Sequence, residues 1–195
     1  MGLKITKEEM RKLPTETFEG EIVVIDKVKD VAKAVTYLKQ FEVIGFDTET
    51  KPVFRKNVFN KVALMQLSTL DKCFLFRLNM IKYPDELDDF ICSNDVKKIG
   101  LSLQDDFASL SKRSECKPLN FIDLQSIVKD YGIEELSLQK IYAIIFNKRI
   151  SKNQRLSNWE AKTLKKSQKM YASIDAWACL KIYNYLIKNG SLVKT

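Results

Sequence analysis

Apolar residues along this chain fall into short runs whose period changes several times. Glu21–Asp26 (EIVVID) is β-branched and predicts a strand. Val31, Ala32, Ala34, Val35 and Leu38 recur at helical spacing and predict a helix over Lys29–Gln40. Val43-Ile44-Gly45-Phe46 then runs without alternation straight into Asp47, the pattern of a central strand buried on both faces. Lys61–Ser68 and Lys72–Leu78, joined by Thr69-Leu70-Asp71, predict a hairpin. Beyond it, short strands at Lys98–Leu101 and Asn120–Asp123 alternate with helices at Pro84–Cys92, Gln104–Lys112, Leu124–Tyr131 and Leu138–Phe146. Asn147–Ala161 is polar and basic and predicts a loop. Ser167–Lys188 is the longest helical stretch, stopped by Asn189-Gly190. This order predicts an α/β fold with a mixed central sheet of about five strands flanked by helices. Residues 1–20 read as an irregular, partly helical lead-in, 21–190 as one domain and 191–195 as a tail.

Composition narrows the chemistry. The 195 residues contain no histidine. That excludes Ser-His-Asp and Cys-His nucleophiles, histidine-ligated zinc and imidazole acid–base catalysis. Any hydrolysis must run on carboxylates, hydroxyls, lysines or carboxylate-held metals. Cys73, Cys92, Cys116 and Cys179 are widely spaced and form no C-x-x-C pair. Without an apolar leader they read as four free thiols, hence a cytoplasmic protein. Lys plus Arg outnumber the acids, 33 to 25, for a net charge of +8, which favours a polyanionic partner.

Three groups of acids stand out. Asp47 and Glu49 form D-x-E at the end of the best strand, and positions i and i+2 of a strand share a face. Two carboxylates so placed repel one another, and a divalent cation is the natural compensation. Tyr171 and Asp175 lie at i and i+4 on the last helix, side by side and next to its apolar stripe. Asp105 and Asp106 open the helix after Lys98–Leu101, where acids are common for dipole reasons alone. Lys148, Arg149, Lys152 and Arg155 gather in the basic loop and suit phosphate neutralisation. Trp159 and Trp177 read as packing residues.

Taken together, D-x-E, an Asp after a later strand, and Y-x-x-x-D on a late helix resemble the three motifs of the DEDD superfamily of 3′–5′ exonucleases. The tyrosine marks its tyrosine branch, that of ribonuclease D-like and Werner-type exonuclease domains. FDTETKP (Phe46–Pro52), VALMQLST (Val62–Thr69), FIDLQ (Phe121–Gln125), SNWE (Ser157–Glu160) and YASIDAWACLKIY (Tyr171–Tyr183) carry the likeness, over roughly Glu21 to Lys188. The sister branch uses histidine where Tyr171 stands, and this chain has none.

The resemblance implies a ribonuclease H-like fold and hydrolysis of DNA or RNA from a 3′ end, releasing nucleoside monophosphates. It implies two divalent cations, Mg²⁺ or Mn²⁺, with Asp47, Glu49, Asp106 and Asp175 as ligands. Tyr171 would orient the attacking water. Ribonuclease D's trailing nucleic-acid-binding domains have no counterpart after the last helix. Two rivals are a haloacid-dehalogenase-type phosphatase and a silent exonuclease-like scaffold. The first needs D-x-D, against which Glu49 stands. The presence of all four acids and Tyr171 speaks against the second.

Overall fold

The computed structural model describes residues 2–53 and 60–190, so the expected tail at 191–195 lies outside the described residues. The lead-in carries a short helix, α1 (Lys7–Lys12), started by a reciprocal cap. Thr6 Oγ1 accepts from the Glu9 N–H at 3.2 Å, and Glu9 Oε2 accepts from the Thr6 N–H at 2.7 Å. Then come β1 (Glu21–Ile25), α2 (Val31–Leu38), β2 (Val43–Thr50), β3 (Val62–Ser68), β4 (Lys72–Phe76), α3 (Leu78–Ile81) and α4 (Asp85–Ile91). The second half holds β5 (Lys97–Gly100), α5 (Leu103–Leu110), β6 (Phe121–Asp123), α6 (Leu124–Ile127), α7 (Leu138–Phe146) and α8 (Lys166–Asn189).

The sheet has six strands, one for each segment predicted as a strand, in the order β1-β4-β3-β2-β5-β6. β3 runs antiparallel to both β2 and β4; the remaining neighbours are parallel. β2 is thus central, which is why its first half is apolar without alternation. One face buries Ile44, Phe46, Leu67 and Phe76 under Val31, Leu38, Leu87 and Phe90 of α2 and α4. The other buries Leu64, Leu75 and Ile99 under Ile141, Tyr142 and Ile182 of α7 and α8. At its closest, α8 nearly touches β2: a Cβ on Gly45 would lie 2.7 Å from the Ala176 carbonyl carbon and nearer still to its oxygen. Only glycine lets the helix axis come that near to the strand.

The lead-in is stitched to the body at both ends. The Leu3 N–H donates to Gly132 O at 2.7 Å, and the Glu134 N–H donates back to Leu3 O at 3.2 Å. Farther on, the Arg149 N–H donates to Pro14 O and the Glu16 N–H to Arg149 O, both at 2.9 Å. Glu16, 6% exposed, accepts from Tyr142 Oη at 2.6 Å, Lys148 Nζ at 3.0 Å and Lys181 Nζ at 3.3 Å. Burial alone would raise its pKa, but these three donors hold it down at about 2.

Cysteine usage departs from the expectation of four free thiols. Cys92, closing α4, and Cys116, after α5, are joined as a disulfide across a Cα–Cα distance of 6.2 Å. The segment after α5 returns to α4, where Ser114 Oγ donates to Asp88 and the Leu119 N–H to Ile91 O, a neighbourhood that linear spacing does not reveal. With that pair joined, cysteine usage no longer points to a reducing compartment. Cys73 and Cys179 are free and buried. No helix among the described residues is long and apolar enough to cross a membrane.

Candidate active site

Asp47 and Glu49 stand on the face of β2 that Gly45 turns toward α8. Two residues beyond the Gly45–Ala176 contact on one side, and one residue before it on the other, Asp47 and Asp175 meet. Asp47, Glu49 and Asp175 each present a carboxylate oxygen, and these oxygens lie within 4.8 Å of one another. They line a cavity of about 380 Å³ with Thr48, Gln139, Lys152, Arg155 and Tyr171. Asp106 sits just behind, on the first turn of α5, where its Oδ1 accepts a hydrogen bond from Thr48 Oγ1. Asp105 is exposed, so its neighbour is the one turned toward the cluster.

Electrostatics register the crowding. Burial, then the charges of Asp175, Asp106 and Glu49, push the Asp47 carboxyl well above its usual range. Burial, then the charges of Asp175 and Asp106, raise Glu49 to about 9. Burial lifts Asp175 to about 7 against the pull of the Tyr171 hydroxyl and the Lys152 charge. Burial lifts Asp106 to about 6 although the Thr48 hydrogen bond opposes it. Asp175 Oδ1 has no hydrogen-bond partner. Orphaned, mutually repelling carboxylate oxygens at this spacing fit hard divalent cations, and no softer donor is needed.

Tyr171 is buried, its ring 6.0 Å from that of the fully buried Trp159. Burial and the neighbouring carboxylates Asp175 and Glu49 raise its hydroxyl far above the ordinary phenol range. The group keeps its proton at any physiological pH.

A profile of the 3′–5′ exonuclease family matches residues 22–190. The chain belongs to that exonuclease family. It is 33% identical over 181 residues to Exonuclease 3′-5′ domain-containing protein 2 of Drosophila melanogaster, covering 88% of this chain and 31% of that protein. It is 29% identical over 184 residues to the bifunctional 3′-5′ exonuclease/ATP-dependent helicase WRN of Mus musculus, covering 89% of this chain and 13% of the other. It therefore spans a third or less of these relatives' length. Among solved structures, the Aedes aegypti Nibbler EXO domain superposes with a TM-score of 0.74 at 21% identity, over 96% of this chain and 91% of that one. At that identity the match speaks for the fold, an RNase H-like exonuclease fold.

The carboxylate cavity divides the four basic residues of the loop. Lys152 and Arg155 line the carboxylate cavity. Lys148 and Arg149 do not: Lys148 pairs with Glu16, and Arg149 Nε donates to Leu13 O at 3.1 Å. Three contributors lie inside the motif stretches but were not named as site residues from the sequence. Thr48 lies between the two acids of D-x-E yet bonds Asp106. Asp123 accepts from the N–H groups of Ser102 and Leu103 at 3.0 and 2.9 Å, fixing the start of α5 and so the position of Asp106. Gln66, opposite Asp47 on β3, is fully buried with neither amide atom partnered. A buried glutamine in an otherwise apolar strand was the one visible hint.

Proposed function

We propose that this exonuclease-family chain hydrolyses single-stranded or 3′-ended nucleic acid from its 3′ terminus, releasing nucleoside monophosphates. The convergence of Asp47, Glu49 and Asp175, with oxygens within 4.8 Å of one another, carries the reading. Those three carboxylates would hold two divalent cations, Mg²⁺ or Mn²⁺, with Asp106 completing the set. When bound, such ions neutralise charge on the phosphoryl group and acidify a water at neutral pH.

The chain's own groups do the rest. Tyr171 keeps its proton, so it orients the attacking water rather than deprotonating it. Lys152 and Arg155 offset the charge of the phosphates entering the cleft. Trp159 backs the Tyr171 ring, and Thr48 holds Asp106, so both polar groups are pre-oriented. Nothing in this set reads the base or the 2′-hydroxyl, which makes the reading one of nucleic acid in general.

The test is degradation of 5′-labelled and 3′-labelled single strands, DNA and RNA, with Mn²⁺ or Mg²⁺. Stepwise shortening from the 3′ end, abolished by chelator and by Asp47→Ala, is expected. Cleavage of closed circles as fast as linear strands, or full activity in excess chelator, would overturn it.

A further inference from the structure

Between its two stitched ends the lead-in arches over the start of α7 and the segment that follows α7. Beneath the arch is a cavity of about 490 Å³. Its wall carries five cationic side chains, Lys7, Arg11, Lys140, Arg149 and Lys152, and no carboxylate. Three wall residues, Ser137, Gln139 and Lys152, also line the carboxylate cavity, so the two hollows adjoin across a shared wall.

The charges of α1 are sorted. Glu8 is paired with Lys12, and Glu9 is used in the Thr6 cap. Lys7 and Arg11, at i and i+4, both face the hollow and share no salt bridge among the described residues. Like charges so placed repel one another, a repulsion that a bound polyanion relieves. Lys140 is the cation of the wall that already has an acid, Glu135, at 2.8 Å.

We infer that this arch is a second nucleic-acid subsite. It holds the phosphodiester backbone of the strand on the 5′ side of the nucleotide in the carboxylate cavity, with Lys7 and Arg11 of the lead-in helix as its far wall. The inference rests on the exonuclease reading above. A strand whose 3′ end reaches Asp47 and Asp175 can leave past the shared wall, and a backbone with one negative charge per nucleotide matches a hollow whose charged wall residues are all cations.

The experiment compares affinities for single strands of about three and about twelve nucleotides, each ending in a phosphorothioate linkage to block turnover. Fluorescence anisotropy is read for wild type, Lys7→Glu/Arg11→Glu and Lys29→Glu/Lys33→Glu. The last pair makes the same change in net charge on the opposite side, at exposed positions. α1 buries no residue, so the first pair leaves the fold intact, as circular dichroism will check. The Lys7/Arg11 variant is expected to lose tenfold or more for the long strand and less than twofold for the short one. Its salt slope for the long strand should fall by about 1–2. Equal losses for both lengths, or a long-strand loss matched by Lys29→Glu/Lys33→Glu, overturn the subsite. Wild-type protein that degrades strands but binds both lengths equally overturns the subsite alone. Wild-type protein that neither binds nor degrades either strand overturns the exonuclease reading and the subsite with it.

Discussion

Alanine at position 45 adds one methyl group between β2 and α8. That carbon would lie 2.7 Å from the Ala176 carbonyl carbon, nearer still to its oxygen, and 3.3 Å from Leu180 Cβ. The struck atoms are helix backbone, so no rotamer change removes the overlap, and strand and helix must part by about 1 Å. Overpacking of this kind costs about 1–3 kcal/mol. The catalytic cost is expected to be larger. Asp175 precedes the struck residue and Asp47 lies two beyond the substituted one, so the separation opens the carboxylate cluster itself. A misplacement of about 1 Å costs on the order of 100-fold in rate. Gly45→Ala should therefore fold, lose about 1–3 kcal/mol in urea unfolding, bind Mn²⁺ more weakly by calorimetry and shorten a labelled strand about 100-fold more slowly. Gly100→Ala is the comparison. Its added carbon would meet chiefly the Leu103 side chain, which can rotate away. Wild-type turnover and Mn²⁺ affinity in Gly45→Ala would refute the claim that this contact sets the site.

Asp175→Asn should raise the metal-free melting temperature at pH 8 while abolishing activity, because it removes a charge that burial disfavours; an unchanged melting temperature would count against the crowding. Mn²⁺ affinity should climb from pH 6 to pH 9 with release of protons, since Asp106, Asp175 and Glu49 hold theirs up to about 6, 7 and 9; calorimetry in buffers of different ionisation enthalpy counts them. Tyr171→Phe should keep metal affinity and lose about 10²–10⁴ in single-turnover rate; full turnover would reduce the phenol to packing. Glu16, whose folded pKa is depressed, stabilises fully above its ordinary pKa of 4.5 and loses that contribution as pH falls toward 2. Glu16→Gln should thus cost about 2 kcal/mol at pH 7, with the half-exposed Lys148 discounted, and the gap to wild type in urea unfolding should close on acidification.

The parts of the site carried by regular elements were legible before any coordinates. A strand fixes the shared face of Asp47 and Glu49, and a helix fixes the adjacency of Tyr171 and Asp175, because both periods are set by backbone geometry. Legibility ended where position depends on tertiary return. Asp105 and Asp106 differ only by their turn around α5, and Thr48 from another strand separates their roles. The basic loop has no period, so nothing in its order announces that Lys152 and Arg155 enter the cleft while Lys148 and Arg149 hold the lead-in. The lead-in itself looked incidental, and Glu16 was one acid among many. Cys92 and Cys116 meet only because the segment after α5 returns to α4.

The docking of α8 on β2 also gives the molecule a timetable. Asp47 and Asp175 are more than a hundred residues apart in the chain, and the helix bearing Asp175 is the last of the described elements to be synthesised. Domains emerging from the ribosome gain their early strands first, and contacts of high sequence separation form late. Until residues 166–189 have emerged and settled against Gly45, a nascent chain holds Asp47 and Glu49 without Asp175 or Tyr171. The carboxylate cluster is thus completed by the same event that closes the sheet's open face, and chains still in synthesis, surrounded by RNA, carry it only in half.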